Sequence, residues 1–155
     1  MKIVALVQAR MGSTRLPNKV MKKIHDIPMI ELLLRRLSNS KEINKIVVAS
    51  SLDSNNKLLV NHIETLGFDC EQGSEEDVLE RYVCVGEKYN ADVVVRITGD
   101  CPLVDPEMVD HCVREFKRLK VDYYSNNHPE TFPDGLDIEV VTIGALQTAF
   151  RDSIN

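Results

Sequence analysis

The stretch IVALVQARMGSTRLPNK, residues 3–19, decides the fold. Its first five residues, Ile3 to Val7, are continuously apolar and β-branched-rich, the composition of a strand covered on both faces rather than one. The polar run that follows places Arg10, Gly12, Ser13, Arg15 and Lys19 just beyond the carboxyl end of that strand. Open α/β sheets bind their ligands at that edge. The N-terminal apolar run is read as a first strand and not as a signal peptide, because Gln8 and Arg10 follow it with no small-residue cleavage pattern.

Working outward, strand-length apolar runs recur at Ile46–Ala49, Val93–Ile97 and Ile138–Val141, with helical patterns between most of them. Ile30, Leu33, Leu34 and Leu37 follow the i, i+3, i+4, i+7 spacing of a helix, and Pro28 suits its first turn. A second helix is predicted from Asn56 to Leu66, stopped by Gly67. A third follows Ser74, where Ser74-Glu75-Glu76-Asp77 resembles a capping box, and reaches Lys88 or Tyr89. The fourth starts after Asp105 and Pro106, with Val109, Cys112, Val113 and Phe116 on one face. Strand-helix alternation predicts an α/β, Rossmann-like fold, a mostly parallel sheet with helices on both faces. Residues 125–137 read as a long loop.

At 155 residues, with no internal repeat or linker, the chain reads as a single domain, 1–155. The net charge of −5 excludes a broad basic face for nucleic acid, so any anion site must be local. No window has the ~20 apolar residues that cross a bilayer. Cys70, Cys84, Cys101 and Cys112 form no C-x-x-C pair and read as reduced, buried thiols of a cytoplasmic protein.

The first loop has the chemistry of a polyphosphate cradle. Arginine clamps phosphate oxygens in pairs, lysine adds a point charge, and glycine admits close backbone approach. It is neither a P-loop nor a G-x-G-x-x-G turn. On spacing alone, a solvated basic loop explains it equally well.

The string ARMGSTRLPNK, followed by IPMIELLLRRL, resembles the signature segment of the cytidylyltransferases that activate 3-deoxy-manno-octulosonate and acylneuraminate. The later strings GSEEDVLERY, RITGDCPLVDPE and FPDGLDIEV resemble the relatives grouped with spore coat polysaccharide biosynthesis protein F, SpsF. The resemblance implies a nucleotide-diphospho-sugar transferase type of fold and transfer of a nucleotide from CTP to a sugar or sugar acid, with release of pyrophosphate, for surface polysaccharide synthesis. Ala9, Arg10, Gly12, Ser13, Arg15 and Lys19 would hold the nucleotide, with Arg10, Arg15, Lys19 and Asp100 in catalytic roles. It implies a homodimer, and it implies that the chain is short at its C-terminal end, where the octulosonate and acylneuraminate enzymes carry a second metal-binding aspartate.

Asp100 follows the strand Val93–Ile97 and so reaches the same sheet edge as the loop. One carboxylate plus substrate phosphates is a usual Mg²⁺ shell, and the resemblance assigns the matching aspartate to magnesium; the alternative is a turn residue bonded to its own backbone. Asp105 is read as a helix cap. Ser74 is either a nucleobase contact, as the resemblance implies, or a helix cap. Asp137 and Glu139 share a side by strand alternation; the resemblance gives them to the sugar pocket, or to help bind metal, and the alternative is a solvated face. His25, His62, His111 and His128 show no zinc spacing, and only His128, in the long loop, is a candidate for touching substrate. A noncatalytic nucleotide-binding or assembly module remains the rival reading, while the first loop disfavours an NAD-dependent oxidoreductase.

Overall fold

A computed structural model describes residues 1–13, 15–129 and 132–153. Thr14 of the first loop and Glu130 and Thr131 of the 125–137 loop lie outside the described residues. In chain order the elements are β1 (Ile3–Gln8), β2 (Lys23–Ile24), β3 (Ile27–Pro28), α1 (Met29–Leu37), β4 (Lys45–Ser51), α2 (Lys57–Thr65), β5 (Asp69–Gly73), α3 (Val78–Lys88), β6 (Val93–Thr98), α4 (Pro106–Leu119), β7 (Tyr123–Ser125), β8 (Glu139–Thr142) and α5 (Ile143–Ser153).

Six strands form one sheet in the order β5-β4-β1-β6-β8-β7, and β2 pairs with β3 in a separate ribbon. β5, β4, β1 and β6 run parallel, while β8 is antiparallel to both β6 and β7. β1 is central, and its alternating side chains divide between two cores as a period of two requires. Ile3, Ala5 and Val7 pack with α1, α2 and α4 through Leu33, Leu34, Ile63 and Val113. Val4 and Leu6 pack on the opposite face with Tyr82 and Val85 of α3, where Ile143 and Leu146 of α5 close the layer. Each fully buried aliphatic side chain contributes about 1.5–3 kcal/mol, so β1, buried from Ile3 to Val7, is the keel of the fold.

The four anticipated strands and four helices are present, and the α/β architecture with helices on both faces holds. Three local expectations are corrected. Pro28 is not in the first turn of α1: it is the N-cap, in extended conformation, and pairs with Lys23 across the ribbon. The third helix is capped by Asp77, whose carboxylate accepts from the Glu80 N–H at 2.8 Å. Ser74 Oγ instead accepts the Asp77 N–H at 3.1 Å, ordering the turn before the helix. Cys84 is exposed on α3, although Cys101 and Cys112 are buried, and all four thiols are free. The sequence reading did not assign β2, β3, β5, β7 or α5 to elements. β5 and β7 are edge strands, so the apolar pattern that betrays a central strand is weak in them.

Winding reverses at β1. The chain leaves β1 through α1 toward β4 and β5 on one side, then returns through α3 to β6 on the other. The carboxyl ends of β1 and β6 are therefore neighbours at a topological switch point. Gly99 joins them, its N–H donating to Gln8 O at 2.7 Å. A Cβ on Gly99 would lie 2.6 Å from that oxygen and 2.8 Å from Ala9 Cβ. Gly99→Ala is expected to lower stability by about 1–3 kcal/mol, the range for overpacking a tight site, seen as a lower urea midpoint; an unchanged midpoint would show that the junction yields freely.

Candidate functional site

The first loop is held from below by its apolar residues. Ala9, Met11 and Val20 are buried in the larger core, whereas Arg10 and Arg15 are exposed and Lys19 is half-buried. Asn56, buried beneath the loop, completes the anchorage. Its Oδ1 accepts the Met11 N–H at 2.8 Å, and its Nδ2 donates to Ser51 O at 3.0 Å and Ser51 Oγ at 2.8 Å. The amide thus ties the loop to the end of β4, and a buried polar group so satisfied carries little penalty.

The acidic turn is held from the side. Asp105 caps α4 by accepting the Glu107 N–H at 3.0 Å, as the sequence predicts. Arg36 of α1 donates to Val104 O at 3.0 Å, which fixes the segment that follows Asp100.

Between these two supports lies a cleft of about 540 Å³. Arg10, Gly12, Ser13, Arg15 and Lys19 line it from the first loop, and Thr98 and Asp100 from the end of β6. Lys19 Nζ lies 2.7 Å from Asp100 Oδ2. The Lys19 ammonium holds the Asp100 carboxyl below its usual range, against the opposing effect of partial burial. Ala9 lines the cleft as well while its methyl belongs to the core. Nothing stands within 4 Å of where a Gly12 Cβ would be, so the missing side chain leaves open space at the cleft wall.

The other sequence candidates fall elsewhere. Ser74 is absent from the cleft lining; its hydroxyl is engaged with Asp77 and its carbonyl accepts from Arg81 Nη1. Arg10 Nη1, 3.9 Å from Glu75 Oε1, links the cleft to that turn. Glu139 faces the opposite sheet neighbour, with Oε2 2.5 Å from Arg96 Nη1 and Oε1 accepting the Tyr123 hydroxyl at 3.1 Å. Asp137 precedes β8 and is half-buried; its charge, with those of Asp100 and Asp134, raises the Cys101 thiol pKa, whose main cause is burial. His128 is exposed and is not among the residues that line the cleft. His62 Nε2 sits 3.0 Å from the buried Glu31 carboxylate, a packing role between α2 and α1. Among the described residues no group of three acidic, cysteine or histidine side chains gathers as a metal cage.

The sequence reading missed Asn56, Arg36 and Arg96. Arg96 had a signal: it is the one charge inside the apolar run Val93–Ile97. Asn56 and Arg36 had none, since both read as ordinary helix residues.

A family model described as cytidylyltransferase matches residues 4–153. This chain belongs to the cytidylyltransferase family. It is 39% identical over 153 residues to an uncharacterized protein of Methanocaldococcus jannaschii, covering 99% of this chain and 62% of that one. It is 35% identical over 162 residues to the spore coat polysaccharide biosynthesis protein SpsF of Bacillus subtilis, covering 98% and 68%. Proteins named 3-deoxy-manno-octulosonate cytidylyltransferase match at 27 to 29% identity over 73 to 75% of the chain. Among solved structures, a cytidylyltransferase from Leptospira borgpetersenii superposes with a TM-score of 0.93 at 35% identity, covering all of this chain and 65% of that one. The chain thus spans roughly two thirds of the length of its nearer relatives in the family. No helix of the described residues is long and apolar enough to cross a membrane.

The Lys19–Asp100 pair has a pH signature. A carboxyl whose folded pKa is depressed stabilises the fold above its unfolded pKa, and that share is lost as pH falls through the folded value. In Lys19→Ala the Asp100 carboxyl should titrate upward, toward the ordinary aspartate value, in a carbon-13 NMR titration. An unmoved Asp100 titration would deny the pair its electrostatic role.

Proposed function

We propose that the cleft is the triphosphate site of a CTP-dependent nucleotidyltransferase that activates a sugar or sugar acid for surface polysaccharide synthesis in the cytoplasm. The observation that carries this reading is the meeting of Arg10, Gly12, Ser13, Arg15 and Lys19 with Asp100 around one cleft at the switch point. Membership of the cytidylyltransferase family supports the choice of CTP.

In the proposed reaction an acceptor oxygen attacks the α-phosphorus, a new phosphorus–oxygen bond forms, and the bond to the β-phosphate oxygen breaks as pyrophosphate leaves. The acceptor proton passes to solvent or to a basic group. Arg10 and Arg15 are exposed at the cleft, Arg10 within 3.9 Å of Glu75, and both would turn onto phosphate oxygens, where their charge answers that of the leaving pyrophosphate. Lys19 exchanges Asp100 for a phosphate oxygen when the nucleotide enters. The space beside Gly12 admits phosphate close to backbone.

Magnesium fits this donor set. Asp100 is a hard oxygen ligand kept ionised, and Mg²⁺ takes one or two carboxylates together with substrate phosphates. When bound, the ion would supply Lewis-acid polarisation of the phosphate being transferred. Asp100 is the residue that would hold it; Glu139 is committed to Arg96 and is a poor second ligand. Ser74 would serve a nucleobase through the position of its turn rather than through its hydroxyl, which is already bonded.

Titration calorimetry with CTP, UTP, ATP and GTP in Mg²⁺, paired with pyrophosphate release from candidate sugars, tests the reading. CTP is expected to bind preferentially, and Arg15→Ala to lose at least about tenfold in turnover with an unchanged melting temperature, since an exposed loop side chain contributes little to the core. Gly12→Ala should weaken CTP binding at unchanged stability. Wild-type turnover in Arg15→Ala would sink the assignment, and CTP binding without pyrophosphate from any sugar would favour the noncatalytic module.

A further inference from the structure

Asn56 is the residue before α2, where an asparagine ordinarily caps the helix by accepting one of its first free N–H groups. Its side chain makes no such bond. It is turned inward instead, 1% exposed, and the two ends of its amide reach two other segments of the chain. The helix forgoes its cap, and the amide serves the first loop.

The Oδ1 end reaches the hub of that loop. Met11 N–H donates to it at 2.8 Å, and Met11 O accepts two further loop amides, from Ser13 at 2.8 Å and from Asn18 at 3.2 Å. Ser13 Oγ then accepts the Leu16 N–H at 3.3 Å, and Leu16 O accepts the Lys19 N–H at 3.2 Å. A continuous series of bonds therefore runs from Asn56 through Met11 to Ser13, Leu16 and Lys19, each of which lines the cleft, and Arg15 is carried between them.

The Nδ2 end is tied to the sheet. It donates to Ser51 O at 3.0 Å and to Ser51 Oγ at 2.8 Å, and Gln72 of β5 places a second amide on the same Ser51 carbonyl at 3.0 Å. Ser51 is buried at the end of β4, and the next residue, Leu52, donates its N–H to Gly73 O at 3.0 Å. A carboxamide suits this place because it carries an acceptor for Met11 and donors for Ser51 in one group. An ionised aspartate has acceptors alone, and a leucine has neither.

We infer that Asn56 is a positioning residue for the polyphosphate: acting through Met11, it presets the first loop so that Ser13, Arg15 and Lys19 stand at the cleft before a ligand arrives. Groups fixed in advance need no reorganisation when they meet charge. The inference rests on the triphosphate reading of the cleft for the identity of the ligand, whereas the hold on the loop is measurable without any ligand. It also confines the effect of Asn56 to the phosphate end of a nucleotide, since none of its own bonds reaches the turn that carries Ser74.

The test is calorimetry of wild type and Asn56→Asp with magnesium tripolyphosphate and, separately, with cytidine, beside amide hydrogen exchange of the ligand-free proteins. Asn56→Asp keeps an acceptor for Met11 and loses the donor to Ser51 O. It is expected to bind tripolyphosphate at least about fivefold more weakly, the scale of one lost hydrogen bond, to bind cytidine as wild type does, and to exchange the Ser13 and Asn18 amides about fivefold faster. Gln72→Leu, on the exposed edge of the sheet, removes the second amide from Ser51 O and should weaken tripolyphosphate binding by about twofold; should Asn56→Asp fail to fold, an unchanged tripolyphosphate affinity in Gln72→Leu overturns the inference. Unchanged tripolyphosphate affinity in folded Asn56→Asp overturns it as well. So does an equal loss of affinity for cytidine, which marks a general loosening, or unchanged exchange at Ser13 and Asn18. Failure of wild type to bind tripolyphosphate or cytidine, with exchange at Ser13 and Asn18 still accelerated in Asn56→Asp, overturns the nucleotide reading and leaves the hold on the loop confirmed.

Discussion

Two loops can act as one site only because β1 and β6 end against each other, and that contact has no slack. The Gly99 N–H meets Gln8 O at 2.7 Å in a space that no Cβ can enter. The contact sets where Asp100 stands relative to the cationic loop. Everything chemical in the cleft follows from it, including the 2.7 Å Lys19–Asp100 pair. The parallel pairing of β1 with β6 from Ile3–Val93 to Gln8–Thr98 carries the same register up from the core. A slip of one residue would turn Thr98 and Arg96 to the opposite face of the sheet.

Around that junction the protein divides support from function. Apolar residues of the loop, Ala9, Met11 and Val20, are sunk in the core, and Asn56 satisfies the buried Met11 amide. The charged residues are left at the surface, where they keep their hydration until a ligand replaces it. In the free protein Lys19 and Asp100 neutralise each other. In the proposed reaction the exchange of Asp100 for phosphate would be a swap of one charge-assisted contact for another, with little net cost in lost pairing.

Much of this was legible in the sequence, for identifiable reasons. β1, β4, β6 and β8 sit in the interior of the sheet, so their apolar runs are dense, and the loop after β1 announces itself by its charges. Asp100 was legible because a Gly-Asp turn after a buried strand must emerge at the ligand edge. What failed to show was whatever depends on contacts between distant segments. Asn56 looks like any residue at a helix start until Met11 is found above it, 45 positions away. Glu139 looks like a free carboxylate until Arg96, 43 positions away, is found across the β6–β8 register. Ser74 misled for the opposite reason: its capping pattern is local and genuine, but Asp77 begins the helix. The family resemblance was right about membership and cannot substitute for these placements.

The central claim is that the first loop and the acidic turn form a single site for a nucleoside triphosphate. Amide hydrogen exchange, measured with and without CTP and Mg²⁺, tests it directly. The account predicts slowed exchange in both segments together, residues 11–19 and 99–101, with β5 and α2 unchanged. Protection of one segment without the other, or of neither at saturating CTP, would contradict it.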